Sequence, residues 1–323
     1  MATPVLARAS AAEVERALAV LLDPALEPIV DLVAWSPAPG AYEVASAQGH
    51  VRARRRPEGT GDARAGGHFE VDVVHGENPV ARQDPGHRAG LDAERSAPHP
   101  GRADNSYPHA FDQLAQLFDH PSAPDLVVQH SASHYWGDQG GHLGEHGSMG
   151  VVQARAPFVA AGAGLAARGP VDESCRLVDV APTILELLGC GLAHHDGTVL
   201  RLVVPEPGGA SQVVAFLLDG TNANVLYDLA GRGRAPNIAR LMEMGTTYRH
   251  GALASLPTVT LANHTSILTG CHPGHHGILH NAWIDRASGD QVVTNSPSTW
   301  PTAMVRLDPS VETIHQALHR ARP

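Results

Sequence analysis

The sequence predicts an α/β fold: a mainly parallel sheet with helices on both faces. Three apolar runs of strand length, residues 126–129, 157–160 and 213–218, alternate with helix-compatible stretches, and strands covered on both faces read as such continuous apolar runs. Asp219 closes the third run, and ligands of doubly covered sheets gather beyond the carboxyl ends of the strands.

The remaining elements follow in order. Ser10 and Glu13 stand at capping-box spacing, and the apolar period that follows predicts a helix up to Leu22, stopped by Asp23-Pro24. Residues 29–35 read as a buried strand, and residues 42–47 with 50–55 as a hairpin turning at Gln48-Gly49, both extending the main sheet. The basic run Arg52-Ala-Arg-Arg-Arg56 reads as a solvated hairpin end rather than a phosphate patch. Residues 78–105, rich in Pro, Gly, His and Asp, read as loop, and residues 111–118 as a short helix. Residues 130–148 form a glycine-rich loop bearing several histidines and carboxylates; glycine removes side chains where ligands converge, and imidazole with carboxylate suits zinc or a similar divalent ion. Residues 179–188 predict a helix with Pro182 tolerated in its first turn, and Pro205-Glu-Pro-Gly-Gly209 marks a junction.

The segment 256–270 is a hydroxyl-rich turn entered through Pro257 and continued by a helix-compatible run. It presents Thr260 at a helix N-terminus, an environment that favours anions. A threonine hydroxyl becomes a nucleophile only when a neighbouring base or a metal activates it, and Asp219 is the candidate carrier of that metal. Thr258, Thr260 and Ser266 read equally well as turn and capping hydroxyls. Residues 311–320 predict an amphipathic helix.

A formal net charge of −10 over 323 residues argues against binding to a nucleic-acid duplex, which draws on clustered Lys and Arg. The three cysteines, Cys175, Cys190 and Cys271, lack the spacing of a disulfide framework or a zinc-thiolate site. No stretch reaches the length of a membrane span and no signal peptide is read, so the expected location is cytoplasmic.

In order and spacing, Val213-Val-Ala-Phe-Leu-Leu-Asp-Gly220, Ala235-Pro-Asn-Ile-Ala-Arg-Leu241, Pro257-Thr-Val-Thr-Leu-Ala-Asn-His264, Thr269-Gly270 and His272-Pro-Gly-His-His-Gly-Ile-Leu-His-Asn281 resemble one half of a known enzyme group. That group is the alkaline phosphatase superfamily, on its nucleotide pyrophosphatase/phosphodiesterase side, and the half is the N-terminal one. Leu143-Gly-Glu-His-Gly147, Ala156-Pro-Phe-Val-Ala-Ala-Gly162 and Arg176-Leu-Val-Asp-Val-Ala-Pro-Thr-Ile-Leu-Glu-Leu-Leu-Gly189 resemble the C-terminal half of phosphodiesterases and sulfatases of the same superfamily. The order is therefore inverted: residues 1–200 hold the region like the C-terminal half behind an N-terminal helix and hairpin, 201–212 the junction, and 213–323 the region like the N-terminal half. A circular permutation leaves one complete domain, whereas a truncated longer chain leaves part of the ligand set beyond Pro323; the imperfect matches favour truncation.

The resemblance implies the following site. Asp219 and His146 bind metal, Thr260 is both a metal ligand and the nucleophile, and Asn281 holds phosphoryl oxygens. Asp138-Gln139 stands where relatives carry Asp-His or Asp-Asn as ligands; glutamine in place of histidine points to a harder ion or to a pair that is not a ligand. Asp84-Pro-Gly-His87 resembles a further Asp–His metal pair but is one residue short. His264, His272, His275, His276 and His280 receive no ligand role from the resemblance and are read as loop or supporting groups. The implied cofactors are two divalent ions, zinc first, with calcium, magnesium or manganese as alternatives, clamping the attacking and leaving oxygens. The implied reaction is hydrolysis of a phosphodiester, nucleotide-pyrophosphate or phosphomonoester bond of a small phosphorylated or nucleotide substrate, through a phosphothreonyl intermediate. A sulfatase is the weaker reading, because Thr260-Leu-Ala-Asn263 replaces the Cys/Ser-x-Pro-x-Arg motif. A catalytically incomplete metal-binding remnant is the rival.

Overall fold

The computed structural model describes residues 6–56, 68–134 and 146–321. Helix α1 (Ala11–Leu21) starts at the expected capping box: the Ser10 hydroxyl accepts from the Glu13 amide while the Glu13 carboxylate accepts from the Ser10 amide. It packs on β1 (Val30–Ala38), the first strand of an antiparallel sheet continued by β2 (Ala41–Ser46), β3 (Gly49–Arg56) and β4 (His68–Gly76). Pro39-Gly40 and Ala47-Gln48 are two-residue connections, which can join only antiparallel neighbours.

Helices α2 (Leu91–Ser96) and α3 (Ala110–Asp119) follow, and β5 (Val127–His130) then returns antiparallel beside β1, giving the strand order β4-β3-β2-β1-β5. Alternation sets the inward face. Leu32, Ala34, Tyr42, Val44, Val51 and Ala53 pack against Phe111, Leu114 and Phe118 of α3, forming the larger core.

The second core is built from strands far apart in sequence. After α4 (Val151–Ala154) come the short strands β6 (Arg155–Ala156), β7 (Val159–Ala160), β8 (Gly169–Val171) and β9 (Cys175–Arg176), then α5 (Val180–Leu187). Helices α6 (Ala223–Gly231) and α7 (Pro236–Met244) lead to β10 (Thr246–Tyr248) and β11 (Ala252–Leu253). Strand β10 lies between β7 and β8, and β11 between β6 and β9. Each central strand is antiparallel to one neighbour and parallel to the other. Gly251, at φ +65°, makes the bend from one sheet to the next; a Cβ there would lie 2.3 Å from the Ala156 carbonyl oxygen. Strands from the two halves of the chain thus share sheets, and Leu177, Leu187, Val203, Tyr248 and Ala252 fill the core beneath them.

Helix α8 (Thr260–Thr269), the single turn α9 (Pro273–His276), the hairpin β12 (Ala282–Ile284) and β13 (Gln291–Val293), and α10 (Ile314–Ala321) complete the chain. Ile314 and Ala317 of α10 dock on Ala181 and Leu185 of α5. Among the described residues, no helix is long and apolar enough to cross a membrane.

The protein mixes helices and sheets, but the expected mainly parallel sheet is not what the described residues form. Short hairpins make the five-stranded sheet antiparallel, and parallel pairing is confined to β8 with β10 and β9 with β11. The run 213–218, expected to be a buried strand, pairs with no neighbour among the described residues, and Phe216 is 82% exposed. Strand β4, which the sequence reading passed over, takes the sheet edge instead. Because Phe216 makes little contact, Phe216→Ser should leave unfolding free energy within about 0.5 kcal/mol of the parent protein. It should also reduce binding of an apolar fluorescent dye. A larger loss of stability in denaturant titration would show that this segment is packed in solution.

Candidate functional site

Thr260 is the first residue of α8, so its amide and those of Leu261 and Ala262 have no partner within the helix. The segment that delivers it, residues 254–259, is irregular, and side-chain amides supply its backbone partners. The Asn263 carboxamide accepts from the Ser255 amide at 2.7 Å and donates to the carbonyls of Ser255, Pro257 and Val259 at 3.0, 2.9 and 3.2 Å. From α3, Gln113 accepts from the Leu256 amide and donates to the Ala254 carbonyl. Gln116 donates to the Leu256 carbonyl and accepts from the Gly274 amide. All three carboxamides are buried.

The same segment receives the His146 loop. The Gly147 amide donates to Thr258 Oγ1 at 2.9 Å, and that hydroxyl donates to the Ser148 carbonyl at 3.1 Å. Thr258 is thereby occupied in joining the two half-motifs, while the Thr260 hydroxyl points to Asp219, with Oγ1 3.5 Å from Oδ1. His264, one helical turn after Thr260, places Nε2 3.6 Å from the same Asp219 oxygen. Asn281 follows the exposed His280 at the end of the Pro-Gly-His-His-Gly-Ile loop. The Asn281 side chain makes no hydrogen bond among the described residues, and its Oδ1 is buried without a partner. Buried amides are normally satisfied, so this one awaits a ligand or water.

The other candidates fall elsewhere. Asp138 and Gln139 lie outside the described residues. Asp84 Oδ1 accepts from the Gly86 amide inside a turn, and the ring of His87 meets the Asp104 carbonyl. Arg155 donates to the carbonyls of Pro85, His87 and Arg88, so that loop is structurally braced. Asp84 and His87 are thus engaged locally and are not joined to Asp219 by any recorded contact. The Asp219 and Thr260 oxygens, with the His264 imidazole beside them, are a fitting donor set for one divalent ion. They do not make the two-ion site implied above: among the described residues, no group of three or more His, Cys, Asp or Glu side chains is placed to hold a metal ion.

Sequence reasoning left His275 as a supporting group, and the structure gives it a specific task. Its Nδ1 lies 2.7 Å from Asp196 Oδ2 and its Nε2 3.0 Å from Asp119 Oδ2, while Asp119 is also held by Arg55 at 2.8 Å. Burial opposes the imidazolium, but its bonds to the two carboxylates outweigh burial and hold His275 at about 9. Burial would raise Asp196, yet the hydrogen bond and charge of His275 bring it down to about 2. His272 and His276 have no such support, and burial drives them down to about 4 and about 3, so both are neutral fillers.

Residues 213–322, about a third of the chain, match the family of type I phosphodiesterases / nucleotide pyrophosphatases. A Schizosaccharomyces pombe protein named as an uncharacterized pyrophosphatase/phosphodiesterase is 37% identical over 87 residues, which are 27% of this chain and 17% of that protein. The alkaline phosphatase PafA of Elizabethkingia meningoseptica is 32% identical over 96 residues, 30% of this chain and 17% of that enzyme. Human ectonucleotide pyrophosphatase/phosphodiesterase family member 1 is 40% identical over 70 residues, 22% of this chain and 7% of that protein. The resemblance to the alkaline phosphatase superfamily therefore stands, and the chain spans well under a fifth of the length of these relatives where it matches them. No solved structure matches the chain.

Two stability predictions follow from the braces. Asn263→Leu keeps the volume but removes four hydrogen bonds and strips the Ser255 amide and carbonyl of their partner, while the Pro257 and Val259 carbonyls keep a backbone amide; it should cost about 3 kcal/mol in denaturant unfolding. A loss under about 0.5 kcal/mol would show that the turn holds itself. For His275, a folded value of about 9 against the ordinary 6.5 means stabilisation that is full below about pH 6.5 and lost as the pH rises through about 9. Asp196, lowered from 3.8 to about 2, contributes above about pH 4 and fails only as the pH falls through about 2. His275→Gln should therefore cost about 3 kcal/mol near pH 6. It should also flatten the decline of melting temperature between pH 6.5 and 9, and an unchanged slope would remove His275 as its source.

Proposed function

We propose that this chain carries the nucleophile-bearing part of a phosphoester hydrolase site, with Thr260 as nucleophile and a small phosphorylated or nucleotide substrate. The supporting observation is the pairing of Thr260 at the head of α8 with Asp219, contributed from some forty residues away by a turn beside an unpaired apolar segment. In this reading the free amides at the start of α8 gather the phosphoryl oxygens, since a helix N-terminus carries partial positive charge. The Thr260 hydroxyl, directed at Asp219, attacks phosphorus, and its proton passes toward that carboxylate as the P–O bond to the leaving group breaks. Water then cleaves the phosphothreonine, releasing phosphate or a phosphomonoester and restoring the hydroxyl.

Asn281 acts as a further hold on the phosphoryl oxygens by donating from its Nδ2 amide. His146 stands at the edge of this arrangement, tied through Gly147 to Thr258. Metal dependence is part of the proposal: Asp219, Thr260 and His264 would hold an ion whose charge favours the alkoxide of Thr260 over the alcohol. The incomplete two-ion set favours a second reading, a domain that binds metal without turning over substrate.

Turnover of an aryl phosphate and an aryl phosphodiester separates the two. Thr260→Ala should lower kcat by about 10⁴-fold or more with an unchanged circular dichroism spectrum. Asn281→Ala should cost about 10²–10³-fold, the range for removing one transition-state donor. Activity that survives in Thr260→Ala moves the nucleophile elsewhere. A parent protein that binds metal but never turns over supports the non-catalytic reading.

A further inference from the structure

We propose that the cavity between residues 6–8, the end of α3 and the hairpin of β12 and β13 is a binding site for a small aromatic anion, an oxyanion carried on a ring. None of its lining residues belongs to the Asp219–Thr260 pair, so it stands apart from the hydrolase reading.

The cavity encloses about 500 Å³, a volume within the range of small-molecule sites. Arg286 builds its walls. From the hairpin, that guanidinium donates to the carbonyls of Ala7 and Ala123 and to Asp125 Oδ2. The Arg286 amide donates to Ser122 Oγ, and its carbonyl accepts from the Leu6 amide. Arg8 closes the N-terminal side by donating to the carbonyls of His120 and Pro124. Three segments distant in sequence are thus locked together by their own bonds, and a preformed site spares a ligand the cost of ordering it.

Charge selects the sign of the ligand. Among the lining residues, the guanidiniums of Arg8, Arg286 and Arg306 stand against one carboxylate, Asp285. Asp125, outside the lining, offsets Arg286. Three cations against two carboxylates leave an excess of positive charge, in a chain whose formal net charge is −10.

Donors remain for the anion. Arg8 and Arg286 are spent on the scaffold, but Arg306 approaches Asp285 Oδ2 only to 3.9 Å, beyond hydrogen-bond length, and its side chain is 52% exposed. His120 Nδ1 accepts from the Ser122 amide at 3.0 Å, and burial holds this imidazole below its ordinary range. The neutral ring therefore carries its proton on Nε2. A Cβ at Gly277, which also lines the cavity, would stand 3.9 Å from that nitrogen, and glycine leaves the space free. An oxyanion there takes a charge-assisted bond from Arg306 and a neutral one from His120. The ring follows from the rest of the lining: Trp283 and Val292 of the hairpin, with Pro121 and Val305, offer indole and aliphatic surface that a ring covers and an inorganic anion does not.

Calorimetry on the full chain tests the site with naphthalene-2-carboxylate, its neutral isostere 2-naphthamide, and acetate, which keeps the charge and lacks the ring. The naphthoate should bind about 10-fold or more tightly than either of the others. Arg306→Gln, at an exposed position that leaves the scaffold bonds in place, should weaken it about 10-fold or more, the worth of one charged hydrogen bond. Thr260→Ala should leave it unchanged, with the folding of both variants checked by circular dichroism. Equal affinity for naphthoate and amide would remove the role of charge, and equal affinity for naphthoate and acetate the role of the ring; either overturns the assignment. So would affinity unmoved by Arg306→Gln, affinity lost in Thr260→Ala, which would move the ligand to α8, or no binding by the parent chain at millimolar naphthoate. Binding that obeys all these contrasts in a protein without turnover upholds this site while the hydrolase reading falls.

Discussion

Three buried carboxamides hold the segment on which the site depends. Residues 254–259 leave β11, make an irregular turn and enter α8; the Ala254 amide still reaches the Ala154 carbonyl, but Ser255 and Leu256 have no ladder to join. Asn263, Gln113 and Gln116 supply the missing partners from one helix downstream and one far upstream. A buried backbone group without a partner costs about 1–3 kcal/mol, so the turn is stable only while these side chains stay in place. The brace also explains a division of labour between two neighbouring threonines. Thr258 is consumed in joining the His146 loop to the turn, and Thr260 is left with its hydroxyl toward Asp219. Gly274 closes the arrangement: its amide reaches Gln116, and a Cβ at that position would meet the Gln116 carbonyl oxygen at 1.6 Å.

Much of this was legible in the sequence wherever the cause is local. The capping box of α1, the hairpin of β2 and β3, the helix following Asp179 and the position of Thr260 at a helix start all depend on residues a few positions apart. The run 213–218 shows the opposite case. Its apolar composition announces the capacity to be a strand, but a strand exists only when another chain segment offers hydrogen bonds, and nothing local reports that. Phe69, Val71 and Val73 of β4 do alternate with polar residues, so that edge strand carried a readable signal. Asn263 carried a fainter one, a poor helix former placed four residues after Val259, where its side chain can fold back on the backbone. The pairing of Asp219 with Thr260 came from the resemblance, and no spacing rule would have found it. His275 could not be separated from its neighbouring histidines, because Asp119 and Asp196 reach it from distant parts of the chain.

The two electrostatic centres differ in kind. The Arg55–Asp119–His275–Asp196 chain is closely spaced and mutually paired, and it ties the antiparallel sheet to the Asp196 loop and to α9. Its work is to fix the scaffold. Asp219 is exposed, with two neighbours at 3.5 and 3.6 Å, and its charge remains available to something from solution. Scaffold and site also differ in what they tolerate, since a carboxylate that must bind a ligand cannot at the same time be saturated by its own protein.

Strands β10 and β11 sit at the centres of sheets whose outer strands were made much earlier in the chain. The early strands end at residue 176 and their central partners begin at residue 246. A ribosome adding about 5–20 residues per second therefore leaves the edges of β6 to β9 open for several seconds after they emerge. During that interval they are bare templates for pairing with other nascent chains. Synthesis of this protein thus carries a timed vulnerability, and slowing translation just before codon 246 would lengthen it, raising the demand for chaperones without altering a single contact in the finished molecule.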